Sequence, residues 1–234
     1  MNNLTKTVFL LSSFFMFNYL SAKENLKDSV DYYLNSVHKL VDYKDVLKEE
    51  FLDIDYLLSK NERAQGKEKV LTLLKLYTAY IYKSDGSANT YNEQALELSQ
   101  RIGFQQGTLQ ATYNKAYLQF VKGNFDNSMG MLKEVQFLVG PNTYPKVYAD
   151  IVTLKSYIYT ERGEYDKALE TGLKLLDNAE KTENEYIAMK ANSALSHYYL
   201  RIENYSKSLS YCLKGLHYIL KLKKTEYIYP KIDE

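Results

Sequence analysis

The chain has 234 residues, a formal net charge of +1 and 25% charged residues, a composition typical of a folded soluble protein. Its basic residues are spread evenly, whereas nucleic-acid-binding proteins concentrate them in a stripe, so no nucleic-acid partner is expected. Cys212 is the only cysteine, which excludes an internal disulfide, and the three prolines favour long helices.

The first 22 residues have the pattern of a secretory signal peptide. Lys6 provides a positive start, an uncharged apolar run follows at 8–20, and Ser21 and Ala22 precede a charged segment. The run is shorter than the ~20 apolar residues of a membrane span. We therefore expect cleavage after Ala22, export to the periplasm or another extracytoplasmic space, and no membrane span afterwards. Leu20 fits the cleavage pattern poorly, which leaves an uncleaved anchor as the alternative.

Two amphipathic stretches, around 30–41 and 45–58, predict a pair of helices in residues 23–67. Another helix is predicted at 69–82, followed by an extended turn at 83–89. Thr90 and Glu93 then have the spacing of a capping box that opens the next helix, with Ala95 as its small contact residue.

The segments 122–132, 162–173 and 202–213 repeat one pattern at an offset of forty residues. Within each unit, apolar positions recur at steps of three and four, which predicts helices with one buried face. Aligned columns hold aromatic or small residues: Phe125, Tyr165 and Tyr205; Ser128, Ala168 and Ser208; and, upstream, Ala116, Ser156 and Ser196. Because small side chains let two helix axes approach closely, the units are interpreted as paired helices.

The turns between the paired helices have their own signals. Gly123 and Gly163 suit a sharp turn, and Glu203 replaces the glycine in the last unit. Asn124 and Asn204 stand where the second helix should begin and are predicted to cap its free N–H groups.

Helix pairs that recur at an offset of forty residues, with "G-[DNE]-[YF]-x-x-[AS]-[LM]" opening the second helix, resemble tetratricopeptide repeats. The resemblance covers about two thirds of the chain and implies a right-handed α-solenoid of antiparallel helix pairs. Four repeats are expected, at about 68–104, 105–141, 142–182 and 183–222, with the degenerate pair of residues 23–67 covering the first. Residues 223–234 contain "YPKI", like the "YPKV" at 144–147, and begin a further repeat or form a frayed tail.

The resemblance also implies a concave groove lined by the first helix of each repeat. Carried onto this sequence, the groove positions form rows at the forty-residue offset. They are Tyr113, Thr153 and Ser193; Tyr117, Tyr157 and His197; and Gln110, Asp150 and Lys190, with Glu161 and Arg201 near the helix ends. Tyrosines with hydroxyl tips suit an extended peptide. The alternative is that they only pack between neighbouring repeats.

The sequence lacks a glycine-rich phosphate loop, H-E-x-x-H, paired cysteines and G-x-S-x-G. His38, His197 and His217 are dispersed, and Cys212 is expected to be a buried structural thiol. We predict no catalysis, cofactor or metal, and a scaffold that binds a protein or peptide. The alternative is the sensory region of a membrane-bound bacterial regulator, a histidine kinase or a helix-turn-helix transcription factor, whose output domain is absent.

Overall fold

The computed structural model describes residues 54–81 and 83–224, and every regular element in these ranges is helical. The helices are α1 (Ile54–Arg63), α2 (Gly66–Tyr80), α3 (Asp85–Arg101), α4 (Gln105–Val121), α5 (Phe125–Val135), α6 (Pro145–Glu161), α7 (Tyr165–Thr182), α8 (Glu185–Arg201) and α9 (Tyr205–Lys224), with a 3₁₀ turn at Gln136–Leu138. The all-α class is thus confirmed. The predictions for the signal peptide, for most of the leading helix pair and for residues 225–234 lie outside the described residues.

All described residues belong to one compact unit, Leu52–Glu234, in which each helix contacts the next one along the chain. Contacts also join α2 to α4, α4 to α6 and α6 to α8. These four helices therefore form a continuous row. Its largest apolar cluster lies around Leu109, Leu132, Ile151, Leu154 and Ile158, each at most 1% exposed.

Small residues lie where paired helices contact each other. Each contact joins residues twelve apart: Ala116 with Ser128, Ser156 with Ala168, and Ser196 with Ser208. In every pair a buried serine hydroxyl donates to the backbone carbonyl of the facing helix, over 2.8, 3.1 and 3.0 Å respectively. The small side chains allow this approach, and the hydrogen bond satisfies a polar group that would otherwise be costly to bury. The predicted role of these columns is confirmed.

The predicted start of α3 is wrong. The N-terminal cap of α3 is Ser84, whose hydroxyl accepts from the Ser87 N–H, so much of the expected turn at 83–89 is helical. Thr90 lies inside α3 and donates to the Gly86 carbonyl, while Glu93 forms an ion pair with Lys115 at 2.9 Å. An earlier polar cap, Ser84 in place of Thr90, therefore starts the helix six residues sooner.

The two asparagines at the later turns behave differently. Asn204 accepts from the Lys207 N–H at 3.2 Å, so the cap predicted for α9 is confirmed. Asn124 precedes α5 but makes no capping bond, and its amide donates instead to Gln119 Oε1 at 2.9 Å. The side chain of Asn124 therefore binds Gln119 of α4 and does not cap the free N–H groups of α5.

The turns before α5, α7 and α9 share one backbone conformation. Gly123 and Gly163 have φ of 77° and 73°, as the glycine signals predict, and Glu203 has φ of 60°. The residue after each turn then donates its backbone N–H to the preceding helix. The Glu164 N–H donates to the Tyr159 carbonyl, and the Asn204 N–H donates to the Tyr199 carbonyl, each over 2.9 Å. Glu203 therefore holds a left-handed conformation that costs a residue with a Cβ roughly 1 kcal/mol.

We predict that Glu203→Gly stabilises the protein by about 0.5 kcal/mol, because relief of the backbone strain exceeds the added freedom of the unfolded chain. Gly163→Ala is the matched control. No atom lies within 4 Å of the added Cβ, so only backbone strain acts, and a loss of about 1 kcal/mol is expected. Urea unfolding followed by circular dichroism measures both. Destabilisation by Glu203→Gly would contradict the strain assigned to this turn.

Candidate functional site

A cavity of about 500 Å³ opens along the row formed by α2, α4, α6 and α8. We call it the central cavity. Seven of the eleven predicted groove residues line it: Gln110, Tyr113, Tyr117, Asp150, Thr153, Tyr157 and Lys190. Apolar side chains complete the wall: Leu71, Leu74, Val147 and Leu154. Its size and its mixture of apolar surface with a few polar groups are those of a ligand-binding pocket.

A buried ion pair connects α6 and α8 beside the central cavity. Asp150, whose side chain is 7% exposed, accepts from Lys190 Nζ at 2.6 Å and from the Tyr186 hydroxyl at 2.9 Å. Thr153 adds a hydrogen bond to the Lys190 carbonyl at 3.3 Å. Two donors to one carboxylate offset the free-energy cost of removing its charge from water.

The surroundings of this pair fix the protonation of its neighbours. Burial, and then the negative charge of Asp150, raise the pKa values of Tyr113 and Tyr186, so both phenols stay protonated at neutral pH. Burial has the largest effect on Lys190 and lowers its pKa, but the charge and hydrogen bond of Asp150 together with the neighbouring Tyr186 and Tyr113 outweigh it, and the net shift is upward. The cavity thus presents neutral hydroxyl groups and a permanently charged ammonium group.

The other four predicted residues, Glu161, Ser193, His197 and Arg201, do not line the central cavity. They join α6 to α8 in a separate cluster. Arg201 binds both carboxylate oxygens of Glu161 at 2.6 Å, and His197 Nε2 lies 2.9 Å from Glu161 Oε1. Burial and the positive charge of Arg201 together lower the pKa of His197 more than Glu161 raises it, so the imidazole is neutral at pH 7 and its Nε2–H donates to the carboxylate.

Tyr157 connects the separate cluster with the central cavity. Its hydroxyl lies 2.6 Å from Ser193 Oγ, and its ring centroid lies 4.6 Å from that of His197. The ring of Phe120 also lies near both Tyr157 and Tyr117, with centroid distances of 6.1 and 6.2 Å. These tyrosines therefore pack between helices and also line the cavity.

Sequence reasoning missed ten polar residues of the cavity wall. They are Lys60 of α1, Glu68, Thr72, Lys75, Tyr77 and Thr78 of α2, Gln106 and Asn114 of α4, Lys146 of α6 and Tyr186 of α8. Lys146 and Tyr186 are forty residues apart, and Gln106, another wall residue, lies forty residues before Lys146. These three residues therefore form a further row at the same forty-residue offset, and the sequence alone could have revealed it.

Cys212 is only partly buried, which corrects the expectation of a fully buried thiol, and it remains a free cysteine beside Ser196. Burial raises the pKa of its thiol, and the hydrogen bond with Ser196 offsets this only in part, so the unreactive protonated form prevails. Across residues 54–81 and 83–224, no group of three or more His, Cys, Asp or Glu side chains is placed to hold a metal ion.

Within the described ranges, no helix has the length and the apolar character needed to cross a bilayer. No protein-family model matches the chain, and no curated protein matches it in sequence. The resemblance to tetratricopeptide repeats therefore stays a prediction based on its columns.

We predict that Asp150→Asn destabilises the protein by about 3 kcal/mol, because it leaves the largely buried ammonium group of Lys190 without its counter-charge. The double variant Asp150→Asn, Lys190→Met removes both charges and should recover more than half of that loss. Asp177→Asn is the matched control, since its ion pair with Lys181 is exposed and is worth no more than about 1 kcal/mol. Equal losses for Asp150→Asn and Asp177→Asn in urea unfolding would contradict the buried pair.

Proposed function

We propose that this protein is a non-catalytic scaffold that binds an extended peptide segment of another protein in the central cavity. The observation that carries the proposal is the row of tyrosines on α4 and α6, Tyr113, Tyr117 and Tyr157, along a cavity of about 500 Å³. Tyrosine offers a large apolar face and a polar tip and loses little entropy on binding, which suits a peptide with exposed backbone groups.

We further propose that the helix pairs α2–α3, α4–α5, α6–α7 and α8–α9 are four tetratricopeptide-like repeats stacked in a right-handed solenoid. Three observations support this arrangement: contacts between each helix and its nearest neighbours along the chain, the row of α2, α4, α6 and α8, and the small-residue contact that recurs at a forty-residue offset. Solenoids contact only neighbouring repeats and use the first helices as an extended binding surface.

The place of action in this proposal is outside the cytoplasm. The apolar run at 8–20, between Lys6 and the charged residues after Ala22, supports export through a cleaved signal peptide. The partner would then be a periplasmic or other extracytoplasmic protein with an accessible extended segment.

The proposal predicts that peptides selected from a phage-displayed random library bind the chain 23–234 and lose affinity when Tyr117 and Tyr157 are both changed to alanine. A loss of at least tenfold is expected, because each buried aromatic anchor contributes about 1 kcal/mol or more. Tyr165→Ala is the control, since this tyrosine is 40% exposed on α7 and does not line the cavity.

Fluorescence polarisation measures the affinities, and circular dichroism verifies that every variant remains helical. Selected peptides that bind the double variant and the parent chain equally would exclude the central cavity as their site. The proposal would then fail, whatever the affinity of the peptides.

A further inference from the structure

A chain of side-chain amides runs from the buried contact between α3 and α4 to the wall of the central cavity. Asn92 Nδ2 donates to the Ala111 carbonyl at 2.9 Å, and Asn114 Nδ2 donates to Asn92 Oδ1 at 3.0 Å. Gln110 Nε2 then donates to Asn114 Oδ1 at 3.2 Å. Both asparagines are at most 4% exposed, whereas Gln110 is half-buried and lines the cavity.

The buried end of this chain determines how Gln110 is oriented. A backbone carbonyl only accepts, so the Ala111 carbonyl requires the amide nitrogen of Asn92, and Asn92 then offers its oxygen to Asn114. In the same way Asn114 offers its own oxygen to Gln110. Reversing any of these amides would leave buried polar groups unsatisfied. The protein therefore holds the nitrogen of Gln110, while its carbonyl oxygen Oε1 accepts from none of the described residues.

Tyr113 is the neighbour of Gln110 along the cavity wall. It lies three residues later in α4, so the two side chains share one face of the helix. Burial, and then the negative charge of Asp150, raise the pKa of Tyr113, which keeps its hydroxyl protonated and able to donate. Within the described ranges this hydroxyl has no hydrogen-bond partner. The wall thus presents an oriented acceptor beside a donor.

The backbone of an extended peptide carries the complementary groups. The N–H and the C=O of one residue in a strand point to the same edge, which is why residues of an antiparallel ladder exchange two hydrogen bonds. Recognition through such an edge takes its affinity from the main chain and leaves side-chain identity to other contacts. One face of α4 can therefore bind a peptide edge while the ligand's side chains pack elsewhere in the cavity.

We propose that Gln110 and Tyr113 bind the backbone of the partner peptide, with Gln110 Oε1 accepting a peptide N–H and the Tyr113 hydroxyl donating to a peptide carbonyl. This inference rests on the proposed function and adds how the central cavity recognises its ligand. The ligand class is an extended segment with a free backbone N–H at the position that faces Gln110. Proline does not fit that position, because it has no N–H.

The test begins with the peptide and leaves the protein unchanged. Peptides selected from the random library are resynthesised with each backbone N–H in turn replaced by an ester oxygen, which removes one donor and retains every side chain. We expect one position at which the ester weakens binding to the chain 23–234 by about fivefold, the effect of losing one neutral hydrogen bond. Fluorescence polarisation measures the affinities.

A variant of the protein then assigns the sensitive position to Gln110. In Gln110→Leu the same ester should change the affinity by less than about twofold, because the acceptor is already missing. Gln119→Leu is the matched control, since it makes the same substitution in α4 outside the cavity wall. With the control the ester should still weaken binding by about fivefold. Circular dichroism verifies the fold of both variants.

Tyr113→Phe tests the second hydrogen bond and retains the aromatic ring. It should weaken the selected peptides by about fivefold, because the donor to the peptide carbonyl is lost. The urea unfolding midpoint should not change, since the hydroxyl has no partner among the described residues. Tyr165→Phe, outside the cavity wall, should leave the affinity unchanged.

Two results would overturn the inference and leave the peptide-binding function standing. The first is peptide binding in which no ester has an effect, or in which Gln110→Leu retains the full ester effect. The second is a loss that follows only from replacing an asparagine or glutamine side chain of the peptide, which would assign the amide of Gln110 to a side chain of the ligand. No binding by any member of the library would contradict the proposed function itself, and the inference with it.

Discussion

The contact between small residues of paired helices is the constraint on which the rest of this structure depends. Ser156 and Ala168 illustrate it: neither has exposed surface, and the serine hydroxyl donates to the alanine carbonyl at 3.1 Å. A larger residue at either position would separate the helix axes and break that bond. The contact recurs at a forty-residue offset in α4–α5, α6–α7 and α8–α9, and the first helices of these pairs contact one another in a row that α2 extends.

Because α2, α4, α6 and α8 contact one another in turn, residues of one sequence column become neighbours in the structure. Gln110, Asp150 and Lys190 occupy one column, and two of them form the buried ion pair between α6 and α8. Packing constrains the small residues of the helix contact to remain alike, whereas residues facing the cavity differ from one helix to the next. Under the proposed function, the residues that select a partner would therefore be those of the variable columns.

Much of this arrangement could be predicted from the sequence, because the helical period, the small columns and the turn glycines are local signals. Gly123 and Gly163 identified their turns, and even Glu203 keeps the left-handed conformation required at its position. Other features depend on competition between neighbours. Ser84 starts α3 before Thr90 is reached, and Gln119 takes the amide of Asn124. Lys60 and Lys75 were missed because the forty-residue offset does not lead to them: the same step back from Tyr113 and Tyr117 reaches Leu73 and Tyr77.

The central claim is that a partner peptide occupies the cavity beside α4 and α6. Site-specific photo-crosslinking in the cell that produces the protein tests it most directly, with a benzophenone amino acid placed at Tyr117 or at Tyr165 of α7. The account predicts a discrete crosslinked partner from position 117 and none from position 165, because only the former lines the cavity. The same partner captured from both positions, or from position 165 alone, would contradict it.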